Sequence, residues 1–175
     1  GALLLLLARL AADFDPVALV ALLGHPLVRK GEGRTAWLDQ VRRLDLTLRE
    51  PGLTPGWDGV SARIAARAAD PKARGHGRAT ELQPWWAALS AALGEALAAF
   101  SAPAPPATLL SALQKGVEWL TGDAVWAGPA GRMLAELFDQ WALARGDGPA
   151  LIDPADFPEM LEQLLAKASV RPPYG

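Results

Sequence analysis

The sequence predicts an all-α protein, an irregular bundle of about seven to eight helices, on three observations. Apolar residues recur at three- and four-residue spacing along nearly every segment. No stretch alternates apolar with polar residues or concentrates β-branched side chains as a strand would. The 175 residues are 51% apolar and 21% charged, a balance that folds rather than staying disordered. A chain of this length can remove roughly 70% of its unfolded surface from water, so a real core in one domain, 1–175, is expected.

The first helix is predicted over 2–12, through "ALLLLLARLAA". Its apolar run is broken at Arg9, far short of the ~20 residues a membrane span needs. With no Met, basic leader or cleavage pattern there, a signal peptide is not expected. The second helix opens at "DP", with Asp15 as N-cap and Pro16 at the first helical position, and stops at "GHP". Gly24 is expected to take the left-handed cap conformation, while Pro26 blocks continuation and pushes His25 out of the helical region. His25 therefore reads as helix punctuation, since no Cys, Asp or second His lies at a ligand or catalytic spacing from it.

The third helix is expected over 35–48, burying Trp37, Leu38, Val41 and Leu44 on one stripe. "EPGLTPGWDG" breaks the chain, a fourth helix follows over 58–69, and "DPKARGHGR" reads as a flexible loop. The fifth helix is placed at 83–100, because Pro84 is tolerated near a first turn. "SAPAPPA", 101–107, reads as an extended internal linker. Thr108 is then expected to cap a helix to Leu120, Pro129 to open one reaching Arg145, and "DFPE" to open the last. In that last helix Leu161, Leu164 and Leu165 form the buried side. No internal repeat is evident.

Several chemistries have no residues to carry them. With no cysteine in the chain, disulfides and thiolate-held metals are excluded from it. No GxxxxGK[ST] loop or HExxH pair occurs. The serine of "GVSAR" departs from the nucleophile-elbow pattern and falls in a predicted helix. Asp153, Asp156, Glu159 and Glu162 read as acidic residues at a helix N-terminus rather than a metal cage. No cofactor, no metal and no catalytic residue is therefore assigned within these residues.

Two features could bind. Residues 1–80 hold twelve Lys/Arg against eight Asp/Glu, net +4, whereas 81–175 carry −6. Within the basic half, Arg63, Arg67, Lys72, Arg74 and Arg78 face one acid, Asp70. That segment reads either as a phosphate-contacting surface for DNA or as a solvated charged helix and loop. Seven tryptophans are present. Trp37, Trp86, Trp119 and Trp141 fit core positions, while Trp57 and the Trp85/Trp86 pair could offer stacking faces to bases.

Taken in order, "FDPVALVALLGHPLVRKG", "LDQVRRLDLTLREPGLTPGWDGV", "LQPWWAALSAAL", "GDAVWAGPAGRMLAELF" and "FPEMLEQLLAKASVRPPYG" resemble the AddB family of double-strand break repair proteins in its alphaproteobacterial form. The most specific parts are "LL-HPL" and the terminal "VRP". The sequence departs at Gly24, where the family often has Lys, and at "LRE", Leu48 to Glu50, where the family has LRG. The resemblance implies a fragment of a longer subunit of the AddAB helicase-nuclease, placed like the helical insertion of the second motor lobe of UvrD-type helicases. It further implies an AddA-type partner subunit, DNA reached through the assembled complex, a cytoplasmic setting without membrane contact, and no enzymatic activity in this piece. The family's cysteine-ligated iron-sulfur cluster and divalent metal belong to a nuclease domain outside residues 1–175. Two other readings stand beside it: a self-contained bundle holding an apolar small molecule between its helices, and a protein-interaction scaffold.

Overall fold

The computed structural model describes residues 1–143 and 150–169, and side chains there except at 130, 141–143 and 169. The described residues form eight α-helices: α1 (Ala2–Ala12), α2 (Pro16–Gly24), α3 (Arg34–Leu48), α4 (Trp57–Ala69), α5 (His76–Ala99), α6 (Pro106–Thr121), α7 (Gly128–Leu143) and α8 (Phe157–Ser169). A 3-10 turn (Gly122–Trp126) joins α6 to α7. Among these residues the extended pairing is a single antiparallel bridge, Ala104 with Ile152. The all-α expectation holds.

The centre of the bundle is α1. It packs on α2, α5, α6 and α8, which is why its sequence is leucine on nearly every face, the pattern of a helix surrounded by others. Leu3, Leu4, Leu7, Ala8 and Leu10 are buried. Arg9 is the exception, reaching out to Glu162 of α8 at 3.0 Å. Gly116 lets α6 come close: a Cβ there would lie 2.9 Å from Leu7 Cδ2 and 3.3 Å from Leu93 Cδ2.

The end of α2 departs from expectation in mechanism. Gly24 is not left-handed; His25 is extended, with φ −58° and ψ 140°. The orphan carbonyls are taken by side chains of α3 instead. Trp37 Nε1 donates to the Leu23 carbonyl at 2.9 Å, and the Arg34 guanidinium donates to the carbonyls of Gly24, His25 and Val28. His25 Nδ1 accepts the Leu27 N–H at 3.2 Å. Burial, then the positive charges of the amino terminus and Arg34, lower its pKa from the ordinary 6.5, so the ring is neutral at neutral pH. The histidine is turn structure, as its spacing implied.

Helix α5 corrects the expected start at 83. It begins at His76, so part of the expected loop is helical and Pro84 sits well inside the helix. An interior proline costs about 3 kcal/mol. The residues before it are held by tertiary contacts that offset this: Ala79 and Leu82 are buried, and Arg78 is ion-paired. Beyond it Trp86, Leu89, Leu93, Ala96 and Phe100 form a buried stripe.

The "SAPAPPA" segment is also shorter as a linker than expected. Helix α6 starts within it at Pro106, with Pro105 rather than Thr108 at the cap position. Ala104 is tied by two backbone bonds to Ile152, at 2.9 and 3.2 Å, and Phe100 meets Phe157 edge-on at 5.6 Å. The Pro-rich turn therefore closes α5 onto α6 and brings the entry to α8 alongside. Leu161 of α8 is buried, while Leu164 and Leu165 are half-buried. The expectations for Trp141, for a helix reaching Arg145 and for the terminal "VRPPYG" fall on side chains or segments outside the described ones.

Two helical glycines are predicted to respond oppositely to alanine. At Gly59 a Cβ would lie 1.9 Å from the Thr54 carbonyl oxygen, whereas at Gly94, in the middle of α5, nothing lies within 4 Å. Gly59→Ala should destabilise by about 2–4 kcal/mol, and Gly94→Ala should stabilise by about 0.5–1 kcal/mol. Denaturant midpoints measure both, and equal effects would refute the close approach.

Candidate nucleic-acid interface

The basic segment folds around an acid that precedes it in the chain. Arg63 and Arg67 stand four residues apart on α4, hence on one face of the helix, and Arg78 stands in the first turn of α5. All three converge on Glu50, just beyond the end of α3. Arg63 Nη1 lies 2.9 Å and Arg67 Nη2 3.4 Å from Glu50 Oε2, while Arg78 Nη2 donates to Oε1. Arg63 also donates to the Pro51 carbonyl. The Glu50 and Arg63 side chains are each only 15% exposed.

Such a carboxylate is under two opposed influences. Burial by itself raises the Glu50 pKa; hydrogen bonds from Arg63 and Arg78, with the charges of Arg67 and Arg78, outweigh it and hold the carboxyl below its ordinary 4.5. The ion pairs join the end of α3, the face of α4 and the start of α5. Sequence spacing alone gave no reason to bring Glu50 to the basic segment. The one signal was its place at the start of the breaker "EPGLTPGWDG".

The turn between α4 and α5 is built locally. Asp70 Oδ1 accepts the Lys72 N–H and the Asp70 carbonyl accepts the Ala73 N–H, each at 2.9 Å, an Asx-type arrangement. Gly75 is left-handed, with φ 81°, and the Glu50 carboxylate lies against it, 3.4 Å from where a Cβ would be. His76 Nδ1 lies 3.0 Å from the Arg67 carbonyl; because a carbonyl only accepts, that nitrogen carries the proton.

The five sequence-predicted cations thus divide. Arg63 and Arg78 are committed to Glu50. Arg67 makes the longest of the three contacts and its Nε is buried with no hydrogen-bond partner. Lys72 and Arg74 are exposed, and among the described residues neither side chain meets a carboxylate. Counting Glu50, the corner carries +3 rather than the +4 of the segment alone, and its outward charge is concentrated on the turn.

The tryptophans offered as stacking faces, Trp57, Trp85 and Trp86, each pack against another indole. Trp57 and Trp86 stack on one another, centroids 4.4 Å apart and planes at 22°. Their indole N–H groups donate to Ser90 Oγ and Ser61 Oγ at 2.9 and 2.8 Å. Trp85 packs edge-on against Trp37 at 5.0 Å. Trp37 and Trp86 are buried, whereas Trp119 is half-buried. The serine partners explain why indoles at helical spacing could turn inward.

One cleft of about 480 Å³ lies between the first turn of α1, the "GHP" turn, the 3-10 turn and the start of α7, touching Leu3, His25, Leu27, Lys30 and Val125. No tryptophan is among its lining residues. No described helix is long and apolar enough to cross a membrane. Compared with protein-family models, curated proteins and solved structures, the chain finds no match in any of the three.

Replacing Glu50 tests the corner directly. Glu50→Gln leaves three guanidiniums around a neutral group and should destabilise by about 2 kcal/mol at neutral pH, less than for a fully buried pair. Because the folded-state pKa is depressed, the wild-type advantage is full above the ordinary value of 4.5 and fades as pH falls through the folded-state value. Urea unfolding of both proteins across that range measures it; a difference independent of pH would refute the ion-pair account.

Proposed function

We propose that this chain is a non-catalytic helical subdomain of an AddB-like subunit, acting in a cytoplasmic, ATP-dependent helicase-nuclease that processes DNA double-strand breaks for recombinational repair. The observation that carries the DNA contact is the basic corner, in which Glu50 fixes Arg63 and Arg78 and the turn presents Lys72 and Arg74 outward beside Arg67. Two exposed cations on a hydrogen-bonded turn suit phosphate oxygens, which position a duplex without reading its sequence. The family part of the proposal rests on the quoted sequence resemblance, which supplies the AddA-type partner and the placement as an insertion of a helicase-like lobe.

No residue in the chain takes a catalytic role in this reading. The subdomain contributes surface and rigidity, and the chemistry belongs to other parts of the complex.

Binding of labelled duplex DNA to this chain, followed by fluorescence anisotropy against salt, tests the contact. The double variant Lys72→Glu, Arg74→Glu should bind at least about tenfold more weakly and lower the salt slope by about 2, with an unchanged melting temperature. Equal affinity of variant and wild type would reject the turn as a DNA contact. Metal-dependent cleavage of the duplex by the purified chain would reject the non-catalytic reading.

A further inference from the structure

The turn that follows α2 holds a second cation in a different setting. Among the described residues Arg29 alone has a positive φ without being glycine, at 49°. A left-handed L-residue costs roughly 1–2 kcal/mol, so something must hold it. Its N–H donates to the Leu120 carbonyl of α6 at 2.9 Å. Its guanidinium lies 4.3 Å from the Trp119 ring centroid and 5.2 Å from that of Trp37. Trp37 is itself fixed by its bond to Leu23 and by Trp85.

The consequence is an exposed guanidinium lying over two indole rings, with no carboxylate or carbonyl partner for its donors among the described residues. Arg34, five residues on, is the contrast: its donors are spent on three backbone carbonyls. Most other described arginines pair with acids, as Arg42 does with Asp39, Arg43 with Glu81 and Arg49 with Asp45. Stacking on an aromatic face leaves the edge N–H groups of a guanidinium open, and their fork matches two oxygens of a phosphate. Lys30, also exposed, is adjacent.

We propose that Arg29, stacked on Trp119 and Trp37 and joined by Lys30, is a preorganised site for a phosphate oxyanion, filled by a phosphodiester of a nucleic-acid backbone. The site is separate from the Glu50 corner. Its chemistry stands independently, and only the source of the phosphate rests on the DNA reading above. Ordering costs little on binding because the strained backbone and the stacked side chain are already in place. The nearby tryptophans make occupancy visible as a change in indole emission.

The test uses this chain as wild type, Arg29→Gln, Arg29→Lys and the Lys72→Glu, Arg74→Glu double variant, with duplex oligonucleotide and inorganic phosphate as separate probes. Circular dichroism and melting report folding; if Arg29→Gln does not fold, Arg29→Lys, which keeps a cation over the rings but loses the fork, carries the comparison. The wild type should change its tryptophan emission with duplex, Arg29→Gln should bind about fivefold more weakly, and Arg29→Lys should fall between. The double variant should bind more weakly yet keep the emission change at saturation. Unaltered binding by both Arg29 variants, with the double variant weakened, overturns this site and leaves the DNA reading. An emission response to inorganic phosphate but not to duplex supports the oxyanion site and overturns its nucleic-acid source, and the DNA reading falls with it only if anisotropy also shows no binding of duplex. No emission response to either probe overturns the site.

Discussion

The charge on Glu50 is the constraint on which the basic half of the molecule depends. Three guanidiniums brought together without it would repel, and among the described residues the other ion pair that ties the first two turns of α5 to α3 is Arg43 with Glu81. With the carboxylate in place, Arg63 and Arg78 become struts rather than ligands. That commitment in turn decides which cations are left for a partner. The turn 70–75 is held at both ends, by Asp70 and by Gly75 against the carboxylate, so Lys72 and Arg74 project from a fixed base.

A second set of polar contacts performs the same task at the other end of α3. Arg34 and Trp37 reach back to the last carbonyls of α2, and Trp37 continues into contact with Trp85, Trp119 and the Arg29 guanidinium. Helix α3 is therefore the polar spine of the fold, with Arg34 at its start and Glu50 just beyond its end, while α1 is its apolar axis. Neither helix could be placed by its own propensity. The leucines of α1 need α2, α5, α6 and α8 around them, and α3 is located by what its end residues bond.

Much of this organisation was legible from residue order. The "DP" start of α2 and the burial of Trp37, Val41 and Leu44 on α3 and of Leu161 on α8 followed from caps and periodicity, because those signals are local, while Leu38, Leu164 and Leu165 are only half-buried. The misses were all tertiary. Pro84 suggested a helix start, yet Arg78 and Leu82 anchor the turns before it. "SAPAPPA" suggested a free linker, yet Ala104 finds Ile152 far along the chain. The five cations of the candidate interface were visible as a run, but the acid that partitions them lies outside it. Glu50 became informative only when the fold brought α3, α4 and α5 to one corner.

Glu50 also gives the most direct measurement. A carbon-detected NMR titration of its side-chain carboxyl in the folded chain reads the balance between burial and the three guanidiniums at one atom. The account predicts a midpoint below the ordinary 4.5, with the Arg63 and Arg78 guanidinium signals shifting over the same range. A midpoint at or above that value would mean the carboxylate is buried without effective partners, and the corner would have to be held by something else.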